Sequence, residues 1–282
     1  MGVTDCHIHI NPIWEMRPEA RARLELVSGL ESLLRHPEEL VAQLDRAGVE
    51  RAVLINYVAP EVIGYTEAAN EFVAEYVRAE PERLIAVGGV GVGRPSPGAR
   101  VRELVERLGI RGVKIHPPHQ LLYPNAYRTG AWPELREVYE TLERFEVPVI
   151  FHTGTSVFPG AVSRFGEPLW IEEVAIDFPR LPIVLAHGGR PLWMDQAVFL
   201  ARRFPNVWLE LSGVPPNRLL EYFPDLPKVA AKTVFGTDWP GPGVRDIAAN
   251  LAAFRALPIP DELQRQILET NPLKLFPRHP PN

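Results

Sequence analysis

Short apolar runs recur along the chain, each rich in Val, Ile and Leu and each followed by an amphipathic stretch. The runs are Val3–Ile10, Ala52–Val58, Leu84–Val90, Ile110–His116, Val147–His152, Pro182–His187, Asn206–Ser212 and Thr233–Asp238. Their length and their Gly, Pro, Asn or Ser endings predict buried parallel strands. Between them, residues 66–78 place apolar side chains at 68, 69, 72, 73, 76 and 77, one face of a helix with Thr66 as N-cap candidate. Residues 132–145, 191–204 and 244–257 read the same way, and helices are expected to end near Gly48, Pro81, Gly109, Pro148, Pro205 and Pro258. Eight strand–helix alternations in 282 residues predict a single α/β domain over 1–282, a (β/α)8 TIM barrel. A doubly wound sheet would want a glycine-rich phosphate turn after its first strand, and that strand ends His-Ile-His-Ile-Asn-Pro. The glycines from Gly88 to Gly93 have unsuitable spacing and read as a closely packed strand end.

Composition adds exclusions. Hydrophobic content of 46% and charged content of 23% fit a globular chain, and a net charge of −5 rules out a generally basic nucleic-acid coat. No apolar run is long enough to span a bilayer, so no membrane partner is expected. The single cysteine, Cys6, excludes a disulfide framework and fits a reducing interior. The first strand starts at once, leaving no room for a secretory leader, and a cytoplasmic location is the expectation.

Barrel enzymes keep reactive groups at the C-terminal ends of their strands, and that rule sorts the histidines. His7 and His9 end the first run two residues apart, so both face one side. His116, His152 and His187 end the fourth, fifth and sixth runs, and Asp238 closes the eighth. His36, His119 and His279 fall in helical or loop stretches. A lone histidine at a strand end is ordinarily structural. As a set, His7, His9, His152, His187 and Asp238 converge on one rim with the imidazole–carboxylate mixture that binds zinc and similar ions, against the plainer alternative of a hydrogen-bonded cluster. Such an ion brings a bound water's pKa to about 7, and a histidine off the metal can carry the proton.

These residues resemble the metal-dependent amidohydrolase superfamily. The resemblance rests on the paired histidines of the first run, Val149-Ile-Phe-His-Thr-Gly, Val184-Leu-Ala-His-Gly-Gly and Phe235-Gly-Thr-Asp-Trp-Pro, and spans Val3 to Phe276. It is nearest the amidohydrolase-related group that includes aminocarboxymuconate semialdehyde decarboxylase, pyrone-dicarboxylate hydrolase and oxalomesaconate hydratase. The resemblance implies that His7, His9, His152 and Asp238 hold one divalent ion, zinc being expected and manganese the alternative. It makes His187 the acid/base or orienting group, with Asp238 either a simple ligand or also steering the hydroxide. Two-metal members would instead use His187 as a ligand beside a carboxylated lysine. Lys114 is the lysine placed for that role, with a structural or substrate-charge role as the other reading. Asp5 is expected to support the site or to pack inside the barrel.

Substrate contacts are expected from Arg190 as a fork for an anion, from His116 and His119 at the mouth, and from Trp14 and Trp239 as walls against a flat ring. Surface pairing for Arg190 and ordinary loop packing for the tryptophans are the plainer readings. Arg164 and Arg245 read as surface residues. Phe158, Phe165 and Trp170 suit a lid or a homodimer contact.

The leading expectation is hydrolysis of a small carboxylate-bearing or cyclic substrate by metal-bound hydroxide. The second is non-oxidative decarboxylation of a small unsaturated or aromatic acid. Two departures count against it: Gly188-Gly-Arg-Pro-Leu-Trp lacks a third glycine, and Asp5 stands where aromatic-acid decarboxylases carry glutamate. The remote third is a silent, ligand-binding barrel.

Overall fold

All eight apolar runs form strands: β1 Val3–His9, β2 Val49–Ile55, β3 Leu84–Val87, β4 Val113–Ile115, β5 Val149–His152, β6 Ile183–Ala186, β7 Val207–Glu210 and β8 Thr233–Val234. The computed structural model describes residues 2–23, 28–241, 243, 244 and 246–278; Arg245 and His279 lie outside them. The strands pair in parallel as β1-β2-β3 and β4-β5-β6-β7-β8. Two seams close the ring. Gly88 bridges to Val113, with Lys114 N–H donating to the Gly88 carbonyl at 2.8 Å, and Ile8 bridges to Trp239, with His9 N–H donating to the Trp239 carbonyl at 2.7 Å. This is the expected (β/α)8 barrel.

Differences from the sequence reading lie at element ends. β2 starts three residues early because Val49 and Arg51 pair with Val3 and Thr4 of β1. β8 is cut to two residues because the chain beyond it leaves the regular ladder, while Cys6 N–H still donates to the Phe235 carbonyl and Asp238 N–H to that of His7.

The longer helices are α1 Pro37–Ala47, α2 Ala68–Tyr76, α3 Pro97–Glu106, α4 Leu135–Phe145, α5 Glu172–Asp177, α6 Met194–Arg203 and α7 Ile247–Arg255. In α4, Leu135, Val138, Tyr139 and Leu142 form one buried stripe, which is why this segment is a helix lying on the barrel. Asp246 caps α7 by accepting from Ala249 N–H at 2.6 Å. Thr66 does not occupy the N-cap of α2; that place falls to Glu67, and the Thr66 hydroxyl accepts from Ala68 N–H.

The barrel interior changes character along its axis. Its lower part is apolar, built from Cys6, Val53, Ile85, Ile150, Val184 and Val234 and packed against Leu275 and Phe276 of the C-terminal segment. Toward the strands' C-terminal ends the inward side chains become Lys114, His152, Glu210 and His7, all buried. A separate, larger core lies between strands and helices. Hydrophobic burial below and outside therefore supports a polar layer that costs stability to enclose.

The glycine cluster after β3 is a close-packing device, as expected. A Cβ on Gly89 would lie 2.6 Å from the Val58 amide nitrogen and 2.8 Å from the Tyr57 Cα. On Gly91 the nearest atom would be the end of the Glu67 side chain at 3.2 Å. Gly89→Ala is predicted to destabilise the fold by about 1–3 kcal/mol, an overpacking cost, while Gly91→Ala stays within about 1 kcal/mol, where flexible neighbours give way. Denaturant midpoints of the two variants against wild type check this, and equal midpoints would refute it.

Candidate metal centre

His7 stands at the end of β1, fully buried, and its ring orientation is set from below. Nδ1 lies 2.8 Å from Glu210 Oε2 and 3.1 Å from Ser212 Oγ. Glu210 also accepts from the Ser212 amide at 2.6 Å and from its hydroxyl at 2.7 Å. The two Ser212 donors favour the ionised form of Glu210, and with Glu210 ionised the His7 proton sits on Nδ1 and Nε2 is a bare lone pair, with no hydrogen-bond partner among the described residues.

His187 follows the same logic. Its Nδ1 lies 3.0 Å from the Ser212 carbonyl, which only accepts, so the ring proton sits there and Nε2 is again a lone pair. Asp238 completes the group: donor atoms of His7, His187 and Asp238 lie within 4.8 Å of one another. Both His187 and Asp238 take left-handed backbone angles, φ 66° and 69°, uncommon for side-chain-bearing residues and recurrent at functional sites. Gly213, opposite, makes room, because a Cβ there would sit 2.8 Å from Asp238 Oδ2 and 2.6 Å from an Arg190 nitrogen. Asp5, fully enclosed, pins the Asp238 turn by accepting from Thr237 N–H at 2.9 Å, Thr237 O–H at 2.7 Å and His7 N–H at 3.1 Å.

Electrostatics match a cation site. Burial pulls His7 and His187 well below the usual imidazole range, so both rings are neutral and ready to donate lone pairs. Burial alone would raise Asp238, but the His9 hydrogen bond and the Arg190 guanidinium 3.6 Å away oppose it and the carboxyl is held at about 2. Two neutral imidazoles and one carboxylate, with an orphaned nitrogen among them, fit a divalent ion.

The remaining candidates are placed as follows. His9 is part-buried, with Nε2 3.1 Å from Asp238 Oδ1 and Nδ1 3.3 Å from the Asn11 amide. His152 turns Nε2 toward the Thr155 carbonyl at 3.2 Å, and its ring lies 4.7 Å from that of His187. Its ring stacks on His116 at 3.9 Å, and His116 on His119 at 3.4 Å, making a row of imidazoles along the wall. Lys114 is enclosed one step below; burial pushes it down to about 8, and its Nζ has no partner among the described residues. Burial likewise pushes Glu210 up to about 7, against the Ser212 hydrogen bonds and the Lys114 charge. Arg190 lies 3.6 Å from Asp238 Oδ2.

Above the cluster opens a cavity of about 170 Å³. Arg190, His116, His119 and His152 line it on the polar side, and Ile13, Met16, Leu30 and Leu34 on the apolar side. The wall role expected of Trp14 and Trp239 falls to these aliphatic residues. Trp14 packs instead on Phe72 of α2, with Arg35 over its ring at 4.2 Å, and Trp239 is sealed under the loop, 1% exposed. Phe158 lines the cavity, whereas Phe165 and Trp170 pack on Tyr123.

Glu210 and Ser212 escaped the sequence reading. A signal existed, because Glu210 is the one charged residue in the run Asn206–Ser212, and a buried ionisable group in a strand needs a partner.

Residues 4–278 match the amidohydrolase family model. The chain belongs to the amidohydrolase family. No curated protein sequence matches it. Among solved structures, this amidohydrolase is similar to an uncharacterized TIM-barrel protein of Bordetella bronchiseptica (TM-score 0.78, 22% identity, 99% of each chain). It is also similar to 2,6-dihydroxybenzoate decarboxylase from Rhizobium (TM-score 0.71, 18% identity, 98% of each chain). A third is a dihydroxybenzoic acid decarboxylase of Polaromonas sp. with bound manganese and the inhibitor 2-nitroresorcinol (TM-score 0.69, 19% identity, 98% of this chain and 96% of that one). At these identities the likeness establishes the fold. No helix among the described residues is long and apolar enough to cross a membrane.

Glu210→Gln keeps the shape beside His7 but removes the charge that fixes its ring proton. Manganese affinity is predicted to fall about 10–100-fold, the usual effect of losing a ligand's hydrogen-bond partner. Titration of manganese into metal-free protein measures it, and wild-type affinity would refute the orienting role.

Proposed function

We propose that this amidohydrolase is a metal-dependent hydrolase of a small carboxylate-bearing or cyclic substrate. The observation that carries the reading is the make-up of the centre: His7 and His187 direct bare Nε2 lone pairs that can hold an ion, beside an ionised Asp238 whose carboxylate can take the proton of water. Hydrolysis begins by taking a proton from water and needs acceptors. Decarboxylation ends by giving a proton to carbon and needs a stored acid next to the substrate. Lys114 is enclosed and is not among the residues lining the cavity, and the Tyr57 phenol, which does line it, is pushed by burial well above its ordinary range and is a poor acid.

His7, His187 and Asp238 would hold a divalent ion. Such an ion acidifies water at neutral pH and polarises a substrate carbonyl. Asp238 then accepts a hydrogen from the attacking water and returns it to the leaving group, while His9, hydrogen-bonded to Asp238 and lining the cavity, orients that carboxylate. Arg190 takes an anionic group of the substrate as a fork. The donor set suits zinc and manganese alike; the manganese in the Polaromonas relative supports the second as the ion to test first. The set implied by the superfamily resemblance, with His9 and His152 as ligands and His187 as acid/base, shares His7 and Asp238 with this one.

His7→Ala and Asp238→Ala are predicted to retain less than about a tenth of the wild-type metal after reconstitution, since each removes a central ligand. Metal analysis checks this, and full occupancy in either variant would sink the centre. The same analysis assigns the third ligand: the three-residue cluster predicts that His187→Ala loses metal while His152→Ala keeps it, and the reverse order restores the set from the resemblance.

The second reading, decarboxylation, is favoured by the decarboxylase names of the Rhizobium and Polaromonas relatives and by the apolar flank of the cavity. One assay separates the two. Manganese-loaded protein is given a panel of small lactones, oxo acids and hydroxybenzoates in oxygen-18 water. Hydrolysis places solvent oxygen in the product; carbon dioxide release with no labelled product overturns it in favour of decarboxylation.

A further inference from the structure

A chain of polar contacts runs through the cavity wall. Tyr57 Oη lies 3.1 Å from His119 Nδ1, and Ser156 Oγ lies 2.7 Å from His119 Nε2. Tyr57 follows β2, His119 follows β4 and Ser156 follows β5, so three separate loops build one chain of polar contacts. Tyr57 is 6% exposed and His119 2%, yet all three residues line the cavity.

Hydrogen counting gives the chain a direction. A neutral imidazole carries one hydrogen and each hydroxyl another, so three hydrogens serve two links and one is left over. The lengths say which. The 2.7 Å contact suits a hydroxyl donor, and the 3.1 Å contact suits an N–H donor. Ser156 O–H therefore donates to Nε2, and Nδ1–H donates to the Tyr57 oxygen. Phe158 N–H, donating to Ser156 Oγ at 3.3 Å, occupies a lone pair of that oxygen and leaves its hydrogen for His119. The remaining hydrogen is that of the Tyr57 phenol, with no acceptor among its hydrogen bonds.

Burial keeps both ends in these states: it pulls His119 down to about 3 and pushes Tyr57 well above its ordinary range. The groups facing His119 are His116, stacked on it, and His152 beyond, both held neutral by burial, together with the buried Lys114 and His9.

Tyr57 and Arg190 follow strands four apart in an eight-strand ring, so they face each other across the mouth. The metal centre lies on the floor between them. We infer that Tyr57, oriented by His119 and Ser156, is a specificity-determining donor for a neutral oxygen of the substrate, a ketone or hydroxyl oxygen, while Arg190 takes the carboxylate at the other end. The substrate class is thereby narrowed to small acids with a second, uncharged oxygen acceptor a few carbons from the carboxylate. A site built to donate to that oxygen discriminates strongly against the analogue lacking it, because the phenol is then left unpaired.

This rests on the cavity being the substrate site, as in the proposed function, but not on which reaction follows. Two probes, 4-oxopentanoate and pentanoate, share the carboxylate and chain length and differ in one ketone oxygen. On manganese-loaded protein, calorimetric titration is expected to show about tenfold tighter binding of the oxo acid, the worth of one buried hydrogen bond. Tyr57→Phe should remove that preference with pentanoate binding unchanged, and Arg190→Ala should weaken both probes alike. Ser156→Ala frees His119 Nε2 to take the proton and turn the Tyr57 hydrogen back onto Nδ1, so it too should lose the preference. A readout without any ligand is the nitrogen-15 spectrum of histidine-labelled protein, with His119 assigned from the spectrum of His119→Asn. The proton is expected on Nδ1 in wild type and on Nε2 in Ser156→Ala. A wild-type protein with no preference, a Tyr57→Phe variant that keeps it, or an Nε2-protonated His119 in wild type would each overturn the inference. Failure of hydrolysis appears separately, in the oxygen-18 product.

Discussion

The hydrogen bond between Glu210 and His7 is the contact on which the centre turns. Both groups are enclosed, and neither is tolerable alone: a carboxylate taken out of water costs several kcal/mol unless it is met by donors. Three donors meet Glu210, namely the His7 ring and the amide and hydroxyl of Ser212. The arrangement fixes the one property a ligand needs, the position of the ring proton. It also couples both imidazoles, because Ser212 contacts His187 Nδ1 through its carbonyl and its hydroxyl. Neither Glu210, the last residue of β7, nor Ser212 just beyond it lines the cavity, yet together they set the state of both rings.

The polar layer exists because the barrel supports it from outside and below. The inner apolar set is small, and the bulk of the core lies between strands and helices. Destabilising choices are thereby confined to one end of the cylinder. Left-handed backbone at His187 and Asp238, an enclosed Lys114 and a row of stacked imidazoles all sit at the C-terminal rim. This follows from geometry: side chains at the last inward positions of parallel strands converge on the axis, so a dense set of polar groups is cheap to assemble there and nowhere else.

What the sequence reveals follows the same division. The strands were legible because buried parallel strands write themselves as uninterrupted Val/Ile/Leu runs. Candidate ligands were legible because histidine or aspartate at the end of such a run has few structural reasons to be there. Ends of elements were less so, since whether Val49 or Ala52 opens β2 depends on what β1 offers as a partner. Trp14 and Trp239 were assigned to the wall from their position in the chain, but a 3₁₀ turn at Ile13–Glu15 leaves Trp14 packed on α2, and position alone does not give side-chain direction. Glu210, marked only by its charge inside an apolar run, and Tyr57, not marked at all, are hard to place in a site for a related reason. Their roles are relations to residues on other strands, 203 positions away in the case of Glu210 and His7.

The choice between hydrolysis and decarboxylation is at bottom a question of where protons are stored. Relatives with the same barrel at 18–19% identity carry decarboxylase names, so neither the fold nor the metal decides. The residues that can decide are those whose hydrogens are forced by their neighbours. A backbone carbonyl cannot donate, so the Ser212 carbonyl dictates the tautomer of His187, and the charge of Glu210 dictates that of His7. With both ring protons turned onto Glu210 and Ser212, the two Nε2 lone pairs are left for the cluster they form with Asp238. Lone pairs so placed hold a cation, and rings that hold a cation no longer exchange protons. Any proton passing to or from a bound substrate then falls to Asp238 or to the hydroxyls of the cavity wall, and those are the groups that separate the two reactions.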